Sequence, residues 1–134
     1  MCLIVFAWKI IPCTPLIVAS NRDEFYDRPA SPAAWWVSSP QVFGGQDLQS
    51  GGTWMGITKS TDGSEVTIKF AAITNIRAPS ETRKDAPSRG ALVANYLSGE
   101  LSAQDYISSI RIQAEYYNGF NLLIADQNEL IWFS

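Results

Sequence analysis

The sequence predicts an α+β domain built on antiparallel sheet. Six short apolar runs rich in β-branched residues pair into three hairpins. Two stretches with helical spacing lie between the second and third hairpins. With 134 residues, 46% of them apolar and 17% charged, the chain is long enough to bury one core and too apolar to stay disordered.

Residues 3–8 and 15–20 form the first hairpin, joined across 9–14 with Pro12, and their nearly continuous apolar, β-branched runs predict burial on both faces. A hairpin returns its second strand to the level where the first began. Asn21, Arg22, Asp23 and Glu24 are therefore expected beside Cys2. Strand alternation puts Asn21 and Asp23 on one face and Arg22 and Glu24 on the other, so strict extension would keep all four from serving one site. Residues 25–50 carry Pro29, Pro32, Pro40, the pair Trp35 and Trp36, and Gly44 with Gly45; they read as a long irregular segment, a lid or binding loop. Trp35 and Trp36 either wall an apolar substrate pocket or cover the core edge.

Gly51 and Gly52 indicate a tight turn or a close backbone approach ahead of a strand running to Thr58. No Gly-Lys-Ser/Thr follows, so this is not a phosphate loop. A turn at 61–64 leads into a strand over 66–73, with Val66, Ile68, Phe70 and Ala72 on one face. It closes in Thr74, Asn75, Ile76 and Arg77, a second amide-plus-cation cluster at a hairpin end. Asn75 reads either as an oxyanion donor or as the start of a turn. After a polar loop over 78–87, Ser88 reads as an N-cap, Leu92, Val93, Tyr96 and Leu97 as a buried helical face, and Gly99 as the stop. Ser102 with Asp105 opens a second helix whose apolar face runs Ala103, Tyr106, Ile107, Ile110, Ala114 and Tyr117. Residues 120–125 and 129–133 make the third hairpin. The chain stops at Ser134 directly after a strand, leaving an edge with nothing after it to cover it. Residues 1–134 are expected to be a single domain that is the N-terminal portion of a longer one.

Composition excludes several function classes. The net charge is −3 with no long basic run, which argues against nucleic acid as a partner. No apolar run approaches the roughly 20 residues of a membrane span, and the opening apolar run lacks the basic lead and cleavage site of a signal peptide. Two cysteines are too few for a disulfide framework, which predicts a reducing, cytoplasmic setting. There is no histidine, so nucleophile activation by His within this chain is excluded, as are most zinc and haem ligand sets. No metal or cofactor is expected.

The chemistry centres on Cys2. Removal of Met1 would place a free α-amine, with a usual pKa of roughly 7.7–8.0, on the same carbon as a thiol of about 8.5. Base and nucleophile would then share one residue. The same residue also reads as the ordinary start of a buried strand, and the polar cluster over 21–24 as a solvated strand end.

The cluster Asn21-Arg22-Asp23-Glu24 resembles the signature of the NRDE family, also called the transport and Golgi organisation protein 2 family. The likeness extends to residues 1–4, 19–29, 51–56, 73–75, 88–90 and 117–122 in family order and so covers nearly the whole chain. The resemblance implies an N-terminal-nucleophile hydrolase fold, an αββα sandwich of two stacked antiparallel sheets between helix layers, similar to choloylglycine hydrolases with a cysteine nucleophile. In that type an arginine and then an aspartate, separated by two residues, follow the second strand, and an asparagine ends a later strand. Asn75 matches the asparagine. Arg22 and Asp23 are adjacent here, so the roles within 21–24 stay open. Family members are linked to secretory-pathway organisation, lipid metabolism and haem distribution.

The resulting expectation is an amidohydrolase acting on a small amide with an apolar portion. Cys2 attacks the carbonyl and its own amine takes the proton. Arg22 favours the thiolate, Asp23 orients the ammonium and Asn75 binds the oxyanion. Asn21 belongs to the same group, and Trp35, Trp36 and Arg77 would contact substrate. The rival expectation is a non-enzymatic carrier of haem or an acyl-chain metabolite, with Cys2, Cys13, Met55 or a tyrosine as the available axial ligands.

Overall fold

A computed structural model describes residues 2–62, 64–76, 78, 80 and 82–134, with backbone alone at 62 and 65. Strands β1 (Leu3–Ile11) and β2 (Thr14–Asn21) form a two-stranded hairpin. Strands β3 (Ala30–Trp35), β4 (Val42–Asp47), β5 (Met55–Asp62), β6 (Glu65–Asn75), β7 (Phe120–Ala125) and β8 (Leu130–Phe133) form a second sheet in sequence order, each antiparallel to its neighbour. Helices α1 (Gly90–Ser98) and α2 (Ala103–Ile110) and a 3-10 turn at Ala114–Tyr116 complete the described elements.

The large sheet is buried on both faces, and strand alternation divides its side chains between two cores. Ala71, Ile73, Leu122 and Ile124 point to the helices and pack with Leu92, Val93, Tyr96 and Leu97 of α1 and Tyr106, Ile107 and Ile110 of α2. Phe70, Ala72, Leu123 and Ala125 point the other way, onto Ile4, Trp8, Leu16 and Val18 of the hairpin. The layers are therefore hairpin, sheet, helices. The outer helix layer of an αββα sandwich is not found among the described residues.

The expectation of a hairpin buried on both faces is corrected. Its inward face packs on the sheet, while Leu3 and Val5 remain 61% and 59% exposed. Its turn is tighter than expected: Ile11 pairs with Thr14 around Pro12 and Cys13, with a register shift after Trp8. The expected long loop over 25–50 is also corrected, because it contains β3 and β4. Pro32 lies in β3, at the sheet edge, where a missing N–H is tolerated. Gly44 and Gly45 lie in mid-strand because a Cβ there would come within 2.8 Å of Met55 O and 2.6 Å of the Trp54 ring.

Both helices start where the apolar spacing puts them, but α2 is shorter than expected: it ends at Ile110, so Ala114 lies in the 3-10 turn and Tyr117 follows it. The N-cap of α1 is Arg89 rather than Ser88, with no side-chain cap bond. At α2, Ser102 Oγ accepts the Asp105 N–H at 3.1 Å, as a capping side chain should. Val66 and Ile68 do not share the burial of Phe70 and Ala72; they are 40% and 48% exposed, since β6 extends past the packed layers.

Lys69 closes the helix side of the sheet. It is buried, its Nζ donates to Gly99 O at 2.9 Å and Leu101 O at 2.7 Å, and it sits 4.9 Å from the Tyr96 ring centre. Burial lowers its pKa, and the charges of Asp126 and Glu100 only partly oppose that. Replacing Lys69 by Met keeps the aliphatic stem but strands both carbonyls. The expected loss is about 1.5–3 kcal/mol, read from the urea midpoint, the usual worth of hydrogen bonds from a charged donor.

Candidate active site

Pairing of Leu3 with Asn21 brings the end of β2 beside Cys2. Asn21 Oδ1 accepts the Leu3 N–H at 2.8 Å and so pins the backbone that carries the cysteine. Extended conformation ends at Asn21, so the alternation that would have split the next residues no longer applies. Asp23 N–H donates to Cys2 Sγ at 3.4 Å, and the thiol lies 4.0 Å from Asp23 O. Arg22, Asp23 and Glu24 all line one cavity of about 250 Å³ with Cys2. The end of β6 delivers Asn75 to the same cavity, and its side-chain amide has no hydrogen-bond partner among the described residues.

The cavity is strongly charged. Arg22 lies 3.9 Å from Glu24 and stacks 4.2 Å above the Trp54 ring centre. Arg28 grips Asp47 through Nε at 3.1 Å and Nη2 at 2.5 Å, and reaches Ser50 Oγ and Glu24. The hydrogen bond to Asp47 raises the Arg28 pKa against its partial desolvation. For Asp47, burial pushes the carboxyl up, but Arg28 and the N–H groups of Ser50 and Gln49 outweigh it and hold the pKa below 3.8.

That depressed pKa has a testable sign. The unfolded carboxylate titrates near 3.8, so the stabilisation is fully present above that value and is lost as pH falls through the lower folded pKa. Asp47→Asn is expected to cost about 1–2 kcal/mol near pH 7, between an exposed and a buried ion pair. Urea titrations of both proteins should show the gap narrowing below pH 3.8; a gap of constant size would exclude this ion pair as its source.

The floor of the cavity is a backbone clasp. Gly51 N–H donates to Asp47 O and Asp47 N–H to Gly52 O, which curls the β4–β5 loop tightly. Thr53 N–H then donates to Gly90 O at 3.2 Å, seating this loop on the first turn of α1 and bringing Arg89 to the cavity. The facing wall carries Arg83, Lys84 and Asn118; the Asn118 amide holds the Arg83 backbone N–H and C=O, each at 2.8 Å. A neighbouring cavity of about 710 Å³ shares Asp23, Glu24, Asn75 and Arg89. Trp54 separates the charged cavity from an apolar groove of about 530 Å³ lined by Leu16, Val18, Phe43, Met55 and Phe70.

Of the expected site residues, Cys2, Arg22, Asp23 and Asn75 come together, and Asn21 supports them through the Leu3 backbone. The two tryptophans are elsewhere. Trp36 is buried in the helix-side core with Nε1 donating to Gly44 O at 3.0 Å, and Trp35 packs edge-on against Phe43. Trp36 is thus a core residue, while Trp35 is 53% exposed and lines none of the cavities described above. Arg77 lies outside the described residues. Cys13 is exposed at the hairpin turn, at the opposite end from Cys2, and Met55 packs among the hairpin-side core residues with Ser20 Oγ 3.5 Å from its sulfur. Sequence reasoning missed Arg28, Asp47, Arg83, Lys84 and Arg89 as cavity residues. Arg28 and Arg89 stood in the stretches 19–29 and 88–90, where the only available signal was the family pattern.

No helix among the described residues is long and apolar enough to cross a membrane. The family model for "Transport and Golgi organisation 2" matches residues 1–134. The chain is 41% identical over 133 residues to the Transport and Golgi organization protein 2 homolog of Bos taurus and 38% identical over 133 residues to that of Homo sapiens. It is 35% identical over 132 residues to Transport and Golgi organization protein 2 of Drosophila melanogaster. The mammalian alignments cover 94% of this chain and the insect alignment 92%, but each covers 45% of the relative, so the chain spans less than half their length. With a matching family model over its whole length, the chain belongs to the Transport and Golgi organisation 2 family.

Proposed function

We propose that this chain carries the nucleophile end of an amidohydrolase of the N-terminal-nucleophile type, with Cys2 exposed as the first residue once Met1 is removed. One observation carries the reading: Cys2 opens onto a cavity that Arg22, Asp23 and Asn75 also line, so groups suited to activate a thiol and receive an oxyanion surround it. In the proposed reaction Sγ bonds to the amide carbon and the α-amine takes the thiol proton. The proton passes to the leaving nitrogen as the C–N bond breaks. Water then attacks the thioester, giving a carboxylic acid and restoring the thiol. Asn75 donates to the oxyanion, a contact worth about 2.7–4 kcal/mol in comparable sites. The apolar groove beyond Trp54 suits the acyl portion of the substrate. On this reading the sheets belong to an αββα sandwich that is completed in a longer protein, and the protein works in the reducing cytoplasm.

The same groove also favours a second reading, a carrier for an apolar metabolite on the same fold, in keeping with relatives named for transport and Golgi organisation. The N-terminal mass of the purified protein separates the two. The hydrolase requires loss of Met1; its complete retention would block the amine base and remove the mechanism, while leaving a carrier untouched.

A further inference from the structure

Five of the ten lysines and arginines of this acidic chain line the cavity that holds Cys2, against three carboxylates, Asp23, Glu24 and Asp47. Most of that charge is already committed. Arg28 is held by Asp47 and Glu24, Arg22 lies between Glu24 and Trp54, and Arg83 donates through Nη2 to Glu115 O and Tyr117 O. Arg89 differs. Like Arg83 it has no carboxylate partner among the described residues, but Arg83 is exposed with its Nη2 taken by two carbonyls, whereas Arg89 is half-buried and uses only Nη1, which donates to Gly119 O at 3.0 Å. Its Nε and Nη2 have no partner among the described residues. Those two N–H groups form the side of a guanidinium that takes both oxygens of a carboxylate at once. Burial and the nearby Arg28 charge both disfavour its ionised form, with Glu24 only partly compensating, so this is a cation for which an incoming anion would be a favourable neighbour.

We propose that Arg89 receives a carboxylate of the ligand, so that the substrate class is an N-acylated amino acid. Its apolar acyl part lies against Trp54 and the groove beyond it, and its carboxylate is bound by the Nε and Nη2 edge of Arg89. The amide between them lies toward Cys2. Lys84, which has no ion-pair partner among the described residues, adds attraction from the rim. The proposal rests on the hydrolase reading only for where the scissile amide lies; recognition of the carboxylate does not require turnover.

The test uses the full chain carrying Cys2→Ala, so that no ligand is consumed, and measures binding by calorimetry. The probes are phenylacetylglycine and its neutral primary amide, which differ only in the carboxylate. The acid is expected to bind at least about tenfold tighter, as befits one charge-assisted bidentate contact. Added salt should shrink that preference. Arg89→Gln should erase it and Arg89→Lys should keep part of it. Equal binding of the two probes, binding of neither, or an acid preference that survives in a folded Arg89→Gln chain overturns the assignment. If Arg89→Gln fails to fold, the probe pair on the Cys2→Ala chain and on Arg89→Lys still decides it. Wild-type protein that shows the acid preference but never cleaves the acid leaves Arg89 in place and removes the hydrolase reading instead.

Discussion

On the hydrolase reading, replacing Cys2 by alanine is expected to lower amide turnover by at least about a thousandfold, because Cys2 is the only thiol lining the cavity among the described residues and the hydroxyls there have no base of their own. Cys2→Ser should lose most of the activity as well, since a hydroxyl gives up its proton far less readily than a thiol at neutral pH. Neither change should weaken ligand binding much. Cys2 makes no hydrogen bond except with the Asp23 backbone among the described residues, and the Leu3 N–H stays on Asn21. The measurement is turnover and affinity for the same amide in all three proteins. A carrier predicts unchanged affinity with no turnover in any of them. Wild-type turnover that survives in the alanine variant would place the nucleophile elsewhere.

The second large effect concerns stability. Gly52→Ala is expected to cost about 3–4 kcal/mol and Gly51→Ala only about 1 kcal/mol, although both glycines occupy the left-handed region. Their φ values are 70° and 76°, so the conformational strain of an added Cβ is nearly the same. The surroundings differ. A Cβ on Gly51 meets nothing within 4 Å, whereas one on Gly52 would lie 2.5 Å from Gly90 C and O and 2.9 Å from Ala91 N. Those atoms are backbone in the first turn of α1 and have no rotamer with which to move away. The loop would have to lift off the helix, breaking the Thr53 to Gly90 hydrogen bond and displacing Arg89. Denaturant unfolding of the two variants side by side checks the difference. Equal costs would mean that the close contact is relieved by a small shift and that the clasp does not hold the cavity together.

How much of this was legible in the chain differs from element to element. The helices were, because Leu92, Val93, Tyr96 and Leu97 repeat at helical spacing and Ser102 with Asp105 caps α2 through local bonds. The last hairpin was, for the same short-range reason. Strands β3 and β4 were not. Their prolines, glycines and small residues resemble a loop by composition, and only the close packing of Gly44 on Met55 and of Gly45 on Trp54 explains why a strand needs them. The two-sided burial expected of the first hairpin failed on Leu3 and Val5, since a continuous apolar run states which residues can be covered and not what covers them.

The chain by itself determined that Cys2 and the Asn21–Glu24 cluster would meet, because a hairpin register is a local property that brings its two ends together. Asn75 was expected there from the family resemblance, and only the tertiary structure decided that Arg28, Asp47 and Arg89 join them. Those residues are separated by many positions and converge through the order of six strands and one backbone contact between Gly52 and Gly90. Contacts of that range depend on how whole layers pack, and no spacing within a single sequence encodes them.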